Sequence, residues 1–221
     1  MPNNFKPKHT RCVATHSRPL DGDQERINKC VELRKELMAD LNDARRFGML
    51  VRAVSPTCGL PYALEEVLDA AIELTEADFG NIQLLGPGID TLKIVVQRGL
   101  TREFLEYFAQ VHDGEAACGT AMKKRQRVVV QDIACDPVFE NPRTIETLLA
   151  AQVRAVQSTP LVSRSGAFLG VLSTHYRLPR RPSQRQLRGL DLIVRVASDL
   201  VEWTANRPWY EVPVEPARRK T

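Results

Sequence analysis

The stretch Val153–Tyr176, VRAVQSTPLVSRSGAFLGVLSTHY, carries the strongest indication of the fold. Apolar and β-branched residues fill both of its arms, and Ser163, Arg164, Ser165 and Gly166 supply turn chemistry between them. The pattern predicts a β-hairpin at the centre of a sheet. Because apolar residues occupy both faces, we expect helices over one face of the sheet, and loops with a cavity over the other.

A two-residue turn at Arg164-Ser165 sets the register that we expect for this hairpin. On one face it pairs Val156 with Ser173, Ser158 with Val171, and Arg154 with His175. On the other face it pairs Gln157 with Leu172, Thr159 with Gly170, and Ala155 with Thr174. Beside the turn, Val162 is expected opposite Ala167. The short polar side chains among them either line a pocket or pair across the sheet, and the sequence leaves both interpretations open.

The chain of 221 residues is long enough for one domain of about 100–150 residues with extensions. Its apolar fraction of 43% is ordinary for a globular protein, and its net charge is only +4. Much of the basic charge lies outside the expected core, in Arg180-Arg181 and at 218–220. We therefore expect a solvated basic face rather than a nucleic-acid site.

No segment approaches the roughly 20 apolar residues that cross a bilayer, and residues 1–20 lack the apolar core of a signal peptide. We expect a cytoplasmic protein without a membrane segment. Five cysteines without a C-x-x-C pair predict reduced thiols rather than a disulfide framework or zinc ribbon: Cys12, Cys30, Cys58, Cys118 and Cys135. His9, Cys12 and His16 match no closed metal site, so we predict no metal.

The hydrophobic spacing divides the chain into four parts. We predict a flexible tail over 1–22, an N-terminal helix and linker over 23–60, a compact domain over 61–205 and a C-terminal tail over 206–221. The N-terminal helix is expected to run from Gln24 to Phe47.

Within the compact domain the pattern alternates between helices and strands. A helix around Leu64–Leu74 is followed by strands at Phe79–Leu85 and Thr91–Gln97 and by a helix capped by Thr101. Next come a short helix at Cys118–Lys124, a strand at Arg127–Gln131 and a helix capped by Asn141 with Pro142 in its first position. The hairpin and a helix from Ser183 to about Trp203 complete the predicted order. This order predicts an α+β domain with an antiparallel sheet between helices.

Several segments in this order resemble the GAF domain, a small-molecule-sensing module of bacterial signalling proteins. The similarity spans about Pro61 to Val201 and is closest to the subtype found with PAS domains and histidine kinases. It rests on ADFGNIQLL at 77–85, VVQRGLTREFLEYF at 95–108, ACGTAM at 117–122, VVVQDIACDPVF at 128–139 and the hairpin. The resemblance implies a five- or six-stranded antiparallel sheet, long N- and C-terminal helices on one face and a ligand pocket under loops on the other.

The family resemblance does not name a ligand, because sites vary on a shared fold. Our candidate ligand-binding residues are Gly114, Cys118, Gly119, Ser158, Ser173 and His175. Backbone N–H groups of the Gly114–Gly119 loop either point at a small anion or carbonyl group or form an ordinary helix cap. His175, near the end of a strand, is either a hydrogen-bonded structural or surface residue or a ligand contact.

No known GAF cofactor is predicted, and the ligand stays unidentified. The Asn-Lys-x-Phe-Asp-type signature of cyclic-nucleotide-binding relatives is absent from the sequence. Bilin-binding relatives attach the pigment through a cysteine usually followed by histidine, whereas here Gly119 follows Cys118 and Asp136 follows Cys135.

Two short cysteine-containing motifs are also similar to those of free methionine-(R)-sulfoxide reductases, which are GAF enzymes. They are Ala117-Cys118-Gly119 and Ile133-Ala134-Cys135-Asp136. Such an enzyme would use a Cys118 thiolate, favoured by a pKa lowered at the helix start, with Cys135 as the second thiol. The chain departs from that family in lacking its third upstream cysteine and in continuing with Pro137-Val138-Phe139.

The resemblance thus implies a sensory or regulatory domain that signals through its terminal helices. The expected partners are a second copy of the chain and a histidine kinase or other signalling effector. The apolar stripe of the last helix is wide enough to cover the sheet and leave a surface for a homodimer, or to serve as intramolecular cover alone. A ligand-free interaction module is the alternative from a different class.

Overall fold

The computed structural model describes residues 24, 25, 27–32, 34, 35, 60–86, 88 and 90–204. The described residues between 24 and 35 are helical and exposed, as the pattern starting at Gln24 predicts. The predicted tails at 1–22 and 206–221, the linker before Leu60 and the expected continuation of the first helix to Phe47 lie outside the described residues.

Residues 79–176 contain a five-stranded antiparallel sheet. Its strands are β1 (Phe79–Leu85), β2 (Leu92–Arg98), β3 (Val128–Val130), β4 (Ala155–Val162) and β5 (Phe168–Tyr176), in the order β2-β1-β5-β4-β3. The hairpin β4–β5 is therefore central, as expected, and each of its strands has a second partner. The observed α+β fold confirms the predicted class.

The predicted register of the hairpin is wrong by two residues. Val156 pairs with His175, and Ser158 pairs with Ser173. The turn contains three residues rather than two, because Ser163 N donates to Ala167 O at 2.8 Å. A second offset comes from a β-bulge between Leu161 and Val162. Beyond the bulge the two offsets add to an even shift, which keeps those side chains, Val156 and Ser158 among them, on their expected face.

The turn residue Gly166 explains why the hairpin accepts a three-residue loop. Its φ of 87° lies in the left-handed region, which glycine adopts without a Cβ penalty. The sequence Ser-Arg-Ser-Gly contains this signal, but a two-residue turn and a three-residue turn use the same residue types.

Five helices lie within residues 60–204. They are α1 (Leu60–Thr75), α2 (Arg102–Tyr107), α3 (Ala116–Lys124), α4 (Pro142–Ala150) and α5 (Gln184–Thr204). The predicted caps form: Thr101 accepts from Phe104 N at 3.3 Å, and Asn141 accepts from Arg143 N at 3.0 Å. Ser183 and Gln186 form a reciprocal capping box at the start of α5.

The sheet separates two apolar clusters. On the helix face, Ile82, Leu84 and Leu172 pack against α1 and α5. On the opposite face, which we call the cavity face, Val156 and Val171 belong to a cluster that also contains side chains of α2, α3, α4 and their loops. Each large apolar side chain that folding buries contributes about 1.5–3 kcal/mol, so both faces stabilise the sheet.

The central hairpin is also bonded directly to α5. Val162 N donates to the Ser198 hydroxyl at 3.1 Å, and the Arg164 guanidinium lies 3.0 Å from the Asp199 carboxylate. Arg164 N donates to the Glu202 carboxylate at 3.2 Å. A displacement of β4 would therefore reach the last two turns of α5 through hydrogen bonds as well as through packing.

Candidate functional site

A small cavity lies on the cavity face, between the sheet and the elements that cover it. We call it the inner cavity. Strands β1, β4 and β5 form its floor, and α2, the start of α3, the loop before α4 and α4 itself form its cover. The lining residues are Asn81, Gln83, Phe104, Phe108, Ala116, Ala117, Cys118, Phe139, Leu148, Val156, Ser158, Ser173 and His175.

The floor of the inner cavity is polar although it is buried. Asn81, Gln83, Ser158, Ser173 and His175 are each at most 4% exposed. The register explains the convergence, because Asn81 pairs with Ser173 and Ser173 pairs with Ser158 across three adjacent strands. Alternate residues of β1 and β5 then point to the same side.

Only part of this polar floor is satisfied within the protein. The Ser158 and Ser173 hydroxyls are hydrogen-bonded to each other at 2.8 Å. In contrast, Asn81 Oδ1, both amide atoms of Gln83 and both ring nitrogens of His175 form no hydrogen bond with the described protein groups. Because an unsatisfied buried polar group costs about 1–3 kcal/mol, five such atoms around one cavity make it the candidate ligand site among the described residues.

Burial also fixes the protonation of His175. The surrounding apolar groups lower the pKa of its imidazole to about 3, so the ring is neutral at neutral pH. The Phe104 ring meets it edge-on, with ring centroids 5.5 Å apart. The structure therefore places His175 inside the protein, at the lining of the inner cavity, and not at the surface.

Cys118 lies at the wall of the inner cavity, but the predicted lowering of its pKa is wrong. Burial raises the pKa of the thiol to about 12 and outweighs the backbone N–H groups of Gly119 and Cys118, which lower it. The Gln83 amide lies close enough to favour the thiolate slightly, but it forms no hydrogen bond of normal geometry. A neutral thiol is a poor nucleophile, which argues against reductase chemistry at Cys118.

The other cysteine of the reductase hypothesis has a different environment. Cys135 is exposed, and Cys30, Cys118 and Cys135 are all free thiols. Cys135 follows β3 in the loop that leads to α4, next to the ion pair between Arg154 and Asp132 at 2.8 Å. Cys12 and Cys58 lie outside the described residues. Cys118 and Cys135 therefore differ sharply in access to solvent.

Three N–H groups between Gly114 and Gly119 are hydrogen-bonded within the protein. Gly114 N donates to Gly119 O, and Gly119 N donates to Glu115 O, both at 2.9 Å. Glu115 N donates to His112 O at 3.1 Å. These donors are used within the loop, so the ordinary-loop interpretation holds for them. A Cβ at Gly119 would lie 2.2 Å from His112 O, which explains the need for glycine there.

A second depression, the outer cleft, lies beside the inner cavity. It has a volume of about 610 Å³ and runs between α3 and the loop at 137–141. Ala116 and Phe139 line both spaces and so separate them. Ala116 has a φ of 52°, an uncommon conformation for a residue other than glycine that often marks functional sites.

The inner cavity is small as it stands. Its volume is about 20 Å³ on a scale where one water molecule needs about 10–15 Å³. A ligand larger than water therefore requires its walls to move. Phe139 is the natural wall to move because it borders the outer cleft on its other side.

The structure brings together four of the six predicted ligand-binding residues. Cys118, Ser158, Ser173 and His175 line the inner cavity, Gly114 lines the outer cleft, and Gly119 lines neither. The predicted set lacked two lining residues, Asn81 and Gln83. Their signal was the alternation Gly80-Asn81-Ile82-Gln83-Leu84, which places two amides on one face of a strand that is otherwise apolar.

Within the described residues, no three His, Cys, Asp or Glu side chains cluster in a way that would hold a metal ion. Nor does any helix in that part of the chain combine the length and apolar character needed to cross a membrane.

Comparison with known structures places this fold among GAF domains. The domain of a protein assigned as a two-component sensor histidine kinase in Sinorhizobium meliloti is 18% identical with a TM-score of 0.58, covering 70% of this chain and 97% of that one. The GAF domain of an Acinetobacter phosphoenolpyruvate-protein phosphotransferase is 14% identical with a TM-score of 0.62, covering 74% and 95%.

An enzyme shares the same fold. Free methionine-R-sulfoxide reductase from Neisseria meningitidis, solved with its substrate, is 17% identical with a TM-score of 0.61, covering 76% of this chain and 93% of that one. A comparison with curated proteins gave no match. The family model of the GAF domain matches residues 60–202, well over half of the chain, and the protein therefore belongs to the GAF domain family.

Proposed function

We propose that this protein is a cytoplasmic sensory domain of bacterial signal transduction that binds a small molecule in the inner cavity. One observation carries the proposal: the unpartnered polar atoms of Asn81, Gln83 and His175 converge on one buried space. Structural relatives that include a domain assigned to a sensor histidine kinase support a signalling role.

A control within the same sheet strengthens the argument. Gln157 is also buried with both amide atoms unpartnered, but it pairs with Thr174 on the helix face and does not line the inner cavity. An unpartnered amide outside the inner cavity therefore does not by itself mark a ligand site. Three unpartnered side chains around one cavity are a different case, because their combined penalty of several kcal/mol can be offset by one ligand.

The ligand would enter through the outer cleft. Ala116 and Phe139 form the shared wall, so an outward rotation of the Phe139 ring would join the two spaces. The joined space would add volume to the inner cavity, which by itself is close to the size of a water molecule. Ligand binding would then stabilise a conformation that the free protein populates less.

The signal would leave through α5. The hairpin that carries Ser158, Ser173 and His175 ends in the turn that is bonded to Ser198, Asp199 and Glu202. On the outer side of α5, Leu192 is 58% exposed and Trp203 is 67% exposed. These two lie eleven residues apart, about three turns, on one side of the helix, and they supply a surface for a homodimer or a kinase-type effector.

The ligand-free interaction module predicts a different result from the same protein. The test is native mass spectrometry of the protein purified from its own host, with an absorbance spectrum of the same sample. Binding predicts an additional small mass on the protein. A protein that carries no additional mass, and whose melting temperature no small molecule of a broad screen raises, would support the interaction module instead.

A further inference from the structure

The inner cavity provides no ionised side chain to a ligand. Among the described residues that line it, the polar ones are amides and hydroxyls, together with Cys118 and His175. Burial keeps both of these neutral, because the pKa of the thiol is about 12 and that of the imidazole is about 3. Charged side chains line the outer cleft instead: Glu115, Lys123, Lys124 and Glu140. An ionised group at the floor would lose its hydration without a counter-ion, which costs several kcal/mol.

A ligand that satisfies the unpartnered atoms of the floor must both donate and accept hydrogen bonds. Gln83 offers two N–H donors and one carbonyl acceptor, and Asn81 Oδ1 offers another acceptor. The neutral imidazole of His175 adds one donor and one acceptor. A hydrocarbon, an ether or a simple ketone would leave the acceptors of the floor unsatisfied.

The cover of the cavity has a different chemistry. Three phenylalanine rings, Phe104, Phe108 and Phe139, line its apolar side. The first two are 4.6 Å apart between ring centroids. Aromatic walls of this kind pack well on a flat ring.

Resting on the proposed function, we infer that the ligand is an uncharged planar compound whose head group carries a donor and an acceptor side by side, such as a primary amide or a lactam. The head group would satisfy the floor at Gln83, Asn81 and His175, and its ring would lie under the phenylalanines. Any ionised part of the ligand would stay toward the outer cleft.

A matched pair of probes tests this inference. Nicotinamide and nicotinate have nearly the same shape, but nicotinate carries a charge at pH 7. Titration of the ¹⁵N-labelled full chain, followed at the side-chain amide resonances of Asn81 and Gln83, should show nicotinamide binding at least about tenfold more tightly. Gln83→Met should weaken nicotinamide binding at least fivefold, whereas the matched variant Gln157→Met should bind it as the wild type does.

Equal or tighter binding of nicotinate at these resonances would overturn the uncharged head group, and so would an absence of any nicotinamide response there. The mass retained from the host separates this failure from that of the proposed function. If a retained compound is present and is charged where it meets Gln83, the binding function stands and only the ligand class is wrong. If no compound is retained and neither probe binds, both proposals fail.

Discussion

Burial of a neutral His175 makes the stability of this protein depend on pH in a specific window. In the unfolded chain the imidazole titrates near the ordinary pKa of about 6.5. In the folded protein burial lowers that pKa to about 3. Between these two values the unfolded state binds a proton that the folded state does not. The free energy of unfolding therefore falls as the pH falls below about 6.5.

The magnitude between pH 7 and pH 5 follows from the unfolded pKa. At pH 7 protonation of the unfolded chain contributes little, and at pH 5 it favours the unfolded state by about 2 kcal/mol. The difference for one such histidine is about 2 kcal/mol. It does not depend on the exact folded pKa, because any value well below 5 gives the same result.

Urea denaturation of the wild type and His175→Gln at both pH values measures this contribution. Other titrating groups act equally in the two proteins, so the pH-dependent part of their difference isolates His175. The wild type should lose about 2 kcal/mol more than the variant on going from pH 7 to pH 5. His112→Gln is the matched control for the loss of an imidazole, because His112 is exposed in a loop.

The reasoning would be refuted by a wild type and a His175→Gln variant that lose the same free energy within about 0.5 kcal/mol, a margin close to the limit for independent effects. That result would mean that the imidazole is protonated in the folded protein, or that water reaches it freely. Either would remove His175 from the unsatisfied floor of the inner cavity.

Three further predictions concern the cavity walls and the two cysteines of the reductase hypothesis. Gln83→Met should raise the free energy of unfolding of the ligand-free protein by about 1 kcal/mol in urea, because it removes two unpartnered polar atoms; a loss of stability would show that the amide is satisfied. Phe139→Ala should lower the free energy of unfolding by about 3 kcal/mol, the low end of the range for phenylalanine, because the ring borders an open cleft. A change below about 1 kcal/mol would show that the ring does not pack in the cavity wall. Iodoacetamide at pH 8 should label exposed Cys135 in the native protein and reach buried Cys118 only on unfolding, as read by peptide mass spectrometry; fast native labelling of Cys118 would revive the reductase hypothesis.

The fold was predictable from local patterns because its elements carry strong signals. Thr101, Asn141 and Ser183 cap helices as their positions suggested, and the hairpin lies at the centre of the sheet. The register was not predictable. Its two-residue offset comes from the third turn residue and the bulge at Leu161/Val162, and neither changes the periodic pattern.

The site was only partly predictable, because its properties depend on burial. The start of α3 suggested a reactive thiol at Cys118, but the apolar surroundings that raise its pKa come from distant parts of the chain. For the same reason, the sequence did not show whether His175 is buried. The polar alternation of Asn81 and Gln83 was visible, but only the pairing of β1 with β5 brings it opposite Ser173 and His175.

The central claim is that the polar floor of the inner cavity binds a small molecule. Its most direct test is to isolate the compound retained by the protein from its host and titrate it calorimetrically into ligand-free wild type, Gln83→Met and Gln157→Met. Our account predicts that the wild type and Gln157→Met bind alike, and that Gln83→Met binds at least tenfold more weakly. Equal affinity in all three proteins would contradict it.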